Sequence, residues 1–83
     1  MSEIDWSRLR SLTAREIIRA LSRDGFQLRK QSGSHQRYQH PDGRRVTVSF
    51  HHPGETFRPK TLRTIIGQAR WDEGDLRRLK LLR

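Results

Sequence analysis

Cysteine is absent from the sequence, which removes disulfide staples and thiolate metal sites from the options and suits a reducing compartment. No apolar run approaches the ~20 residues that a membrane-spanning helix needs. The opening Met1-Ser2-Glu3-Ile4-Asp5-Trp6 lacks the charged-then-apolar pattern of a secretory leader, so a cytoplasmic chain with no membrane partner is expected. Also missing are a glycine-rich phosphate loop, a nucleophile elbow and a paired-carboxylate arrangement. A chain of 83 residues buries only about 60% of its unfolded surface, enough for one compact core and too little for a deep internal active-site cavity.

Acidic residues are scarce beside basic ones: nine Asp and Glu against eighteen Lys and Arg, a formal charge of +9. Such an excess on a small surface favours polyanions through phosphate neutralisation and counterion release, and the planar arginine fork suits phosphate. A generic solvated surface, or a basic patch that docks an acidic protein, would carry the same composition.

What is present is patterned. Thr13-Ala14-Arg15-Glu16 reads as a capping box, and Ala14, Ile17, Ile18 and Leu21 repeat with helical spacing. Gly25 is placed for a left-handed helix end, with Phe26 next to touch Leu21. A first strand follows, with Phe26, Leu28 and the stem of Lys30 toward the core and Gln27, Arg29 and Gln31 outward. Ser32-Gly33-Ser34 reads as a joint. A second helix begins at Pro59 with Leu62, Ile65, Ile66 and Ala69 as its apolar stripe. Gly67 interrupts that helix, and close packing against a neighbour is the expected reason. Asp72-Glu73-Gly74-Asp75 restarts a short terminal helix, whose Leu76, Leu79, Leu81 and Leu82 suit either the core or a protein interface. Residues 1–12 form an N-terminal extension, either a helical turn packing Trp6 on the core or a frayed end. Residues 13–71 form the domain, and residues 72–83 form a C-terminal helical extension.

The hairpin between these helices organises the rest. Pro41-Asp42-Gly43 is a turn signal with a mechanism. A three-residue loop of type I with a glycine bulge pairs Tyr38 with Val46 and Gln36 with Val48. Slipping by one residue would flip every side chain. Val46, Val48 and Phe50 then face the core, and His35, Arg37, Gln39, Arg45, Thr47, Ser49 and His51 share the open face. The expected fold is α+β: a three-stranded antiparallel sheet in α-β-β-β-α order, two helices on one face and a short C-terminal helix.

The open face is where chemistry belongs. Cleaving RNA without a metal needs a base to take the 2′-hydroxyl proton and an acid to protonate the leaving 5′-oxygen. Histidine, with a reference pKa near ~6.5, suits either role, and Arg37 and Arg45 could stabilise charge on the phosphoryl oxygens. His35 is the catalytic candidate, with a surface histidine that merely contacts phosphate, or nothing, as the alternative. His51, about 7–8 Å from it across the diagonal, is the possible second group. Arg29, Ser34, Arg37, Arg45, Thr47 and Lys60 are the RNA-binding candidates. His40 reads as a turn residue only. No metal site is expected, because His35, His40, His51 and His52 lack the helical spacing and the acidic or thiol companions of common sites. No cofactor is expected either.

Ala14-x-x-Ile17 leading to Asp24-Gly25-Phe26, Gly33-Ser34-His35, His40-Pro41-Asp42-Gly43-Arg44, Val46-Thr47-Val48 and Thr61-Leu62-Arg63-x-Ile65-Ile66-x-Gln68-Ala69 together resemble the HicA toxin (YcfA-like) family over roughly residues 14–72. The resemblance implies a double-stranded-RNA-binding-domain-like fold. It implies the toxin of a type II toxin–antitoxin system, an mRNA interferase whose substrate is mRNA and whose partner is a HicB antitoxin that masks the active site. It also implies that the histidine of Gly33-Ser34-His35 is catalytic. The sequence departs from the family where Ser49 replaces a frequent proline, Lys60 a frequent glycine, and Arg70-Trp71 a frequent Gly-Leu. A non-catalytic RNA-binding module of the same fold, and a purely protein-binding domain, are the competing readings.

Overall fold

The computed structural model describes residues 4–82. Met1, Ser2, Glu3 and Arg83, which belong to the two expected extensions, lie outside the described residues. Helix α1 spans Ala14–Arg23, and both halves of its capping box are made: the Thr13 hydroxyl accepts from the Glu16 amide, and the Glu16 carboxylate accepts from the Thr13 amide. Its far end closes as expected. Gly25 sits at φ +100, its amide donates to the Ser22 carbonyl, and the Phe26 amide donates to that of Leu21, a Schellman arrangement that glycine alone enters without strain.

Strands β1 (Gln27–Ser32), β2 (His35–Gln39) and β3 (Arg45–Ser49) form one antiparallel sheet in the order β1-β2-β3. The β2–β3 register pairs Tyr38 with Val46, Gln36 with Val48 and His35 with Ser49, as the turn chemistry requires. The loop is Pro41-Asp42-Gly43: Gly43 at φ +99 returns its amide to the His40 carbonyl, and the His40 amide donates to Arg44.

Strand β1 departs from expectation. Its pairing runs Gln27↔Gln39 and Leu28↔Tyr38, then jumps to Lys30↔Arg37, Gln31↔Gln36 and Ser32↔His35. Arg29 is an extra residue, a β-bulge that reverses the parity of the second half of the strand. Lys30 therefore stands opposite Arg37 on the open face rather than toward the core, and Gln31 turns to the helix side. Ser32 belongs to the strand, leaving Gly33-Ser34 as a two-residue turn with glycine, φ +57, at its first position. Leu28 does face the helix side, beside Tyr38, but 47% of it remains exposed because β1 is an edge strand.

Helix α2 spans Pro59–Ala69 and lies along β3, whose outward Thr47 amide it satisfies with the Gln68 side chain at 3.1 Å. Close packing does not explain Gly67: a Cβ built there meets nothing within 4 Å. Arg70 ends the helix in the left-handed region at φ 58, a conformation glycine takes more easily, so the sequence's departure from a frequent glycine falls at a strained position. Helix α3 spans Glu73–Arg78, capped by Asp72.

One core joins all of this. Leu9 and Leu12 from the N-terminal segment, Ile17 and Leu21 of α1, Tyr38, Val46 and Val48 of the sheet, and Ile65 and Ile66 of α2 belong to a single buried cluster. Leu76, Leu79, Leu81 and Leu82 belong to it too, so these leucines are core. Residues Trp6–Leu9 form a 3₁₀ turn, with half-buried Trp6 against the cluster and the Arg63 guanidinium 5.1 Å from its ring centre. Among the described residues no helix is long and apolar enough to cross a membrane.

Candidate active site

With the helices on one side, the open face consists of alternate residues of each strand. The His40-to-Arg44 and Phe50-to-Ser34 backbone bonds fix the alternation of the ladder. His35/Ser49, Arg37/Thr47 and Gln39/Arg45 are consequently its non-hydrogen-bonded pairs, in which Cα atoms approach to about 4.5 Å and side chains crowd together. His35, Arg37, Arg45, Thr47 and Ser49 are all exposed. A hollow of about 240 Å³ is lined by Lys30, Ser32, His35 and Arg37. A second, of about 320 Å³, lies along Arg29, Lys30, Arg37, Arg45 and Thr47. Five of the proposed site residues thus line these hollows: His35, Arg29, Arg37, Arg45 and Thr47. Ser34 flanks them in the turn, its Oγ 3.4 Å from Ser49 Oγ.

Two candidates lie outside the linings of these hollows. After Phe50 the chain bends at His51, whose amide donates to Glu55 Oε1 at 3.2 Å. Among the described residues no hydrogen bond or ring contact joins His51 to His35. Lys60 lies in the first turn of α2, off the sheet. A further hollow, about 480 Å³, lies around Trp6, Phe57 and Arg63 and contains no residue of the open face.

The charge on this face is of one sign. It carries Arg29, Lys30, Arg37 and Arg45 and no carboxylate, and among the described residues none of the four cations forms an ion pair. Arginines that serve the fold are placed differently. Arg44 reaches Asp24 Oδ2 at 3.0 Å, the Ala69 carbonyl at 2.6 Å and Asp42 at 2.8 Å, and Arg78 reaches Asp24 Oδ1 at 2.9 Å. Burial alone would raise the pKa of Asp24, but the bonds donated by Trp71, Arg78 and Arg44 outweigh it and hold the carboxyl below its ordinary value.

His40 is more than a turn residue. Its Nε2 lies 2.6 Å from the Asp24 carbonyl, so that nitrogen carries the proton, while Nδ1 accepts from the Asp42 amide at 3.1 Å. Its ring meets Phe26 edge-on at 5.1 Å. It clamps the hairpin turn to the end of α1 and takes no part in the open face. Lys30 is the residue of the face that strand alternation missed. The available signal was the polar run Gln27-Leu28-Arg29-Lys30-Gln31-Ser32, which holds one apolar residue and so has no alternation to obey.

Among the described residues no group of three His, Cys, Asp or Glu side chains is arranged to hold a metal ion. No curated protein matches the chain. A family model described as the HicA toxin of bacterial toxin–antitoxin systems matches residues 14–71, which takes in α1, the whole sheet, α2 and every residue of the open face. The match extends over more than half of the 83 residues, and the chain belongs to the HicA toxin family.

Proposed function

We propose that this toxin is an mRNA interferase, an endoribonuclease that needs no metal and uses His35 as a general acid or base. The observation that carries the reading is an exposed imidazole sharing a hollow with Lys30 and Arg37 on a face bearing four cations and no carboxylate. The reaction is transesterification. The 2′-oxygen loses its proton to a base, bonds to the adjacent phosphorus, and displaces the 5′-oxygen, which takes a proton from an acid. The products are a 2′,3′-cyclic phosphate and a 5′-hydroxyl. Arg37 and Arg45, further along the same face, set a positive field that favours the charge building on the non-bridging oxygens. Arg29, Ser34 and Thr47 hold the neighbouring strand, and Lys60 contacts RNA that runs beyond the sheet.

The family pairs its toxins with an antitoxin. A HicB-type antitoxin covers the open face of this chain and blocks RNA, and the toxin acts in the cytoplasm, where mRNA is translated. His51, the histidine that follows β3, is the candidate for the second acid–base group.

The decisive experiment is induced expression of wild type beside His35→Ala, with cleavage of a purified transcript measured in parallel. Wild type arrests growth and cuts RNA to 2′,3′-cyclic ends, and the variant does neither while keeping its thermal transition. Cleavage that persists in a folded His35→Ala protein removes His35 from the mechanism. RNA binding by a wild-type protein that never cleaves makes the chain an RNA-binding module instead. For His51, a bell-shaped pH profile of kcat/KM that loses one limb in His51→Ala supports the second role; an unaltered bell excludes it.

A further inference from the structure

We propose that Lys30 and Arg37 form a phosphate-holding step beside the catalytic hollow, so that a single RNA strand crosses the sheet from Ser32 and His35 toward Arg45. The inference rests on the ribonuclease reading of the same face and adds to it the path of the substrate and a binding residue.

The argument begins with a repulsion. The bulge at Arg29 places Lys30 directly opposite Arg37, and like charges facing each other across a strand pair are destabilising. Among the described residues neither cation forms an ion pair that would offset this. Edge strands often carry a lysine or a bulge that deters pairing with other chains. That accounts for a cation on β1, but not for one set against another cation on the next strand. An anion between the two would turn the repulsion into a bidentate grip.

The hollows indicate which anion. Lys30 and Arg37 line both the hollow that holds His35 and the one that runs to Arg45, so they form the shared wall between the two. Along β2, His35 and Arg37 are two residues apart, about 6.8 Å. One phosphate at His35 and the next between Lys30 and Arg37 therefore belong to neighbouring positions of one polymer. Opening onto a flat wet sheet, the site suits a single strand whose backbone lies across β1–β3.

The test is relocation of one charge at constant net charge. In a His35→Ala background, which binds without cutting, affinity for a 12-nucleotide single-stranded RNA is measured across a salt series for Lys30, Lys30→Gln, and Lys30→Gln with Gln31→Lys. Gln31 faces the helix side, so the last variant restores charge on the wrong face. Loss of one phosphate contact lowers the slope of log affinity against log salt by about 0.7, a loss of about fivefold at roughly 0.1 M salt. Both Lys30→Gln variants show it equally, and Lys30→Gln in the active protein raises KM.

Unchanged affinity in Lys30→Gln, or recovery with Gln31→Lys, overturns the proposal. So does an equal affinity for polyglutamate that is lost in the same variants, which would assign the face to an acidic protein. An active-site failure reads differently: wild type that binds RNA with the full Lys30 dependence but cuts nothing removes the ribonuclease reading and leaves the phosphate step standing.

Discussion

The indole N–H of Trp71 donates to Asp24 Oδ2 at 2.9 Å, tying the chain that leaves α2 to the residue that ends α1. Arg44 of the hairpin and Arg78 of α3 converge on the same carboxylate. The His40 ring bonds the Asp24 carbonyl. One aspartate thus fastens both helical extremities and the β2–β3 turn, and it does so on the opposite side of the sheet from the open face.

Replacing Asp24 by Asn keeps the shape and removes the charge that Arg44 and Arg78 answer. Breaking a largely buried ion pair by removing one partner costs about 3 kcal/mol or more. We expect a lower urea midpoint with an unchanged slope. A midpoint within error of wild type would show that the cluster contributes nothing to the fold.

The same carboxyl sets the acid limit. Its pKa in the folded chain lies below the ordinary value of 3.8, as do those of Asp42 and Asp75. A depressed folded pKa gives stability that is complete above 3.8 and is lost as pH falls through the folded value. Thermal stability should therefore hold down to about pH 4 and then decline. The decline should be shallower in Asp24→Asn, because one of the linked protons is gone. A parallel decline would remove Asp24 from the linkage.

Gly67 is exposed, lies within α2 and has open space where a Cβ would go. Gly67→Ala should stabilise the protein by about 1 kcal/mol through helix propensity. A loss of stability in a thermal melt would mean that the backbone there needs glycine after all.

Arg70 pairs naturally with that experiment. At φ 58 it occupies the left-handed region, which costs a residue with a Cβ about 1–2 kcal/mol. Arg70→Gly should recover part of this, raising the melting temperature by a few degrees in a domain of this size. No gain would indicate that the arginine side chain makes up the difference.

Leu76 is fully buried in the common core. Leu76→Ala should cost about 2–5 kcal/mol, a large share of the ~5–15 kcal/mol that holds such a domain together. An unaltered denaturation midpoint would return the terminal leucines to the surface.

Much of this architecture is written in short windows of sequence. The capping box and Gly25 delimit α1, and apolar spacing defines α2. Pro41-Asp42-Gly43 with alternating Val46 and Val48 sets the β2–β3 register, and with it the exposure of His35. Each depends on contacts within a few residues, where backbone geometry leaves little choice. Tertiary structure alone decided three matters. Strand β1, with Leu28 as its one apolar residue, has no alternation of its own, so its parity comes from pairing with β2, and the bulge at Arg29 brought Lys30 to the open face. The terminal leucines, amphipathic in isolation, became core only because α2 and the N-terminal segment left a space for them. Asp24 reads locally as a helix-end residue, and its role depends on partners 20, 47 and 54 positions away. Local periodicity carries no information about which distant cation or indole a carboxylate will meet.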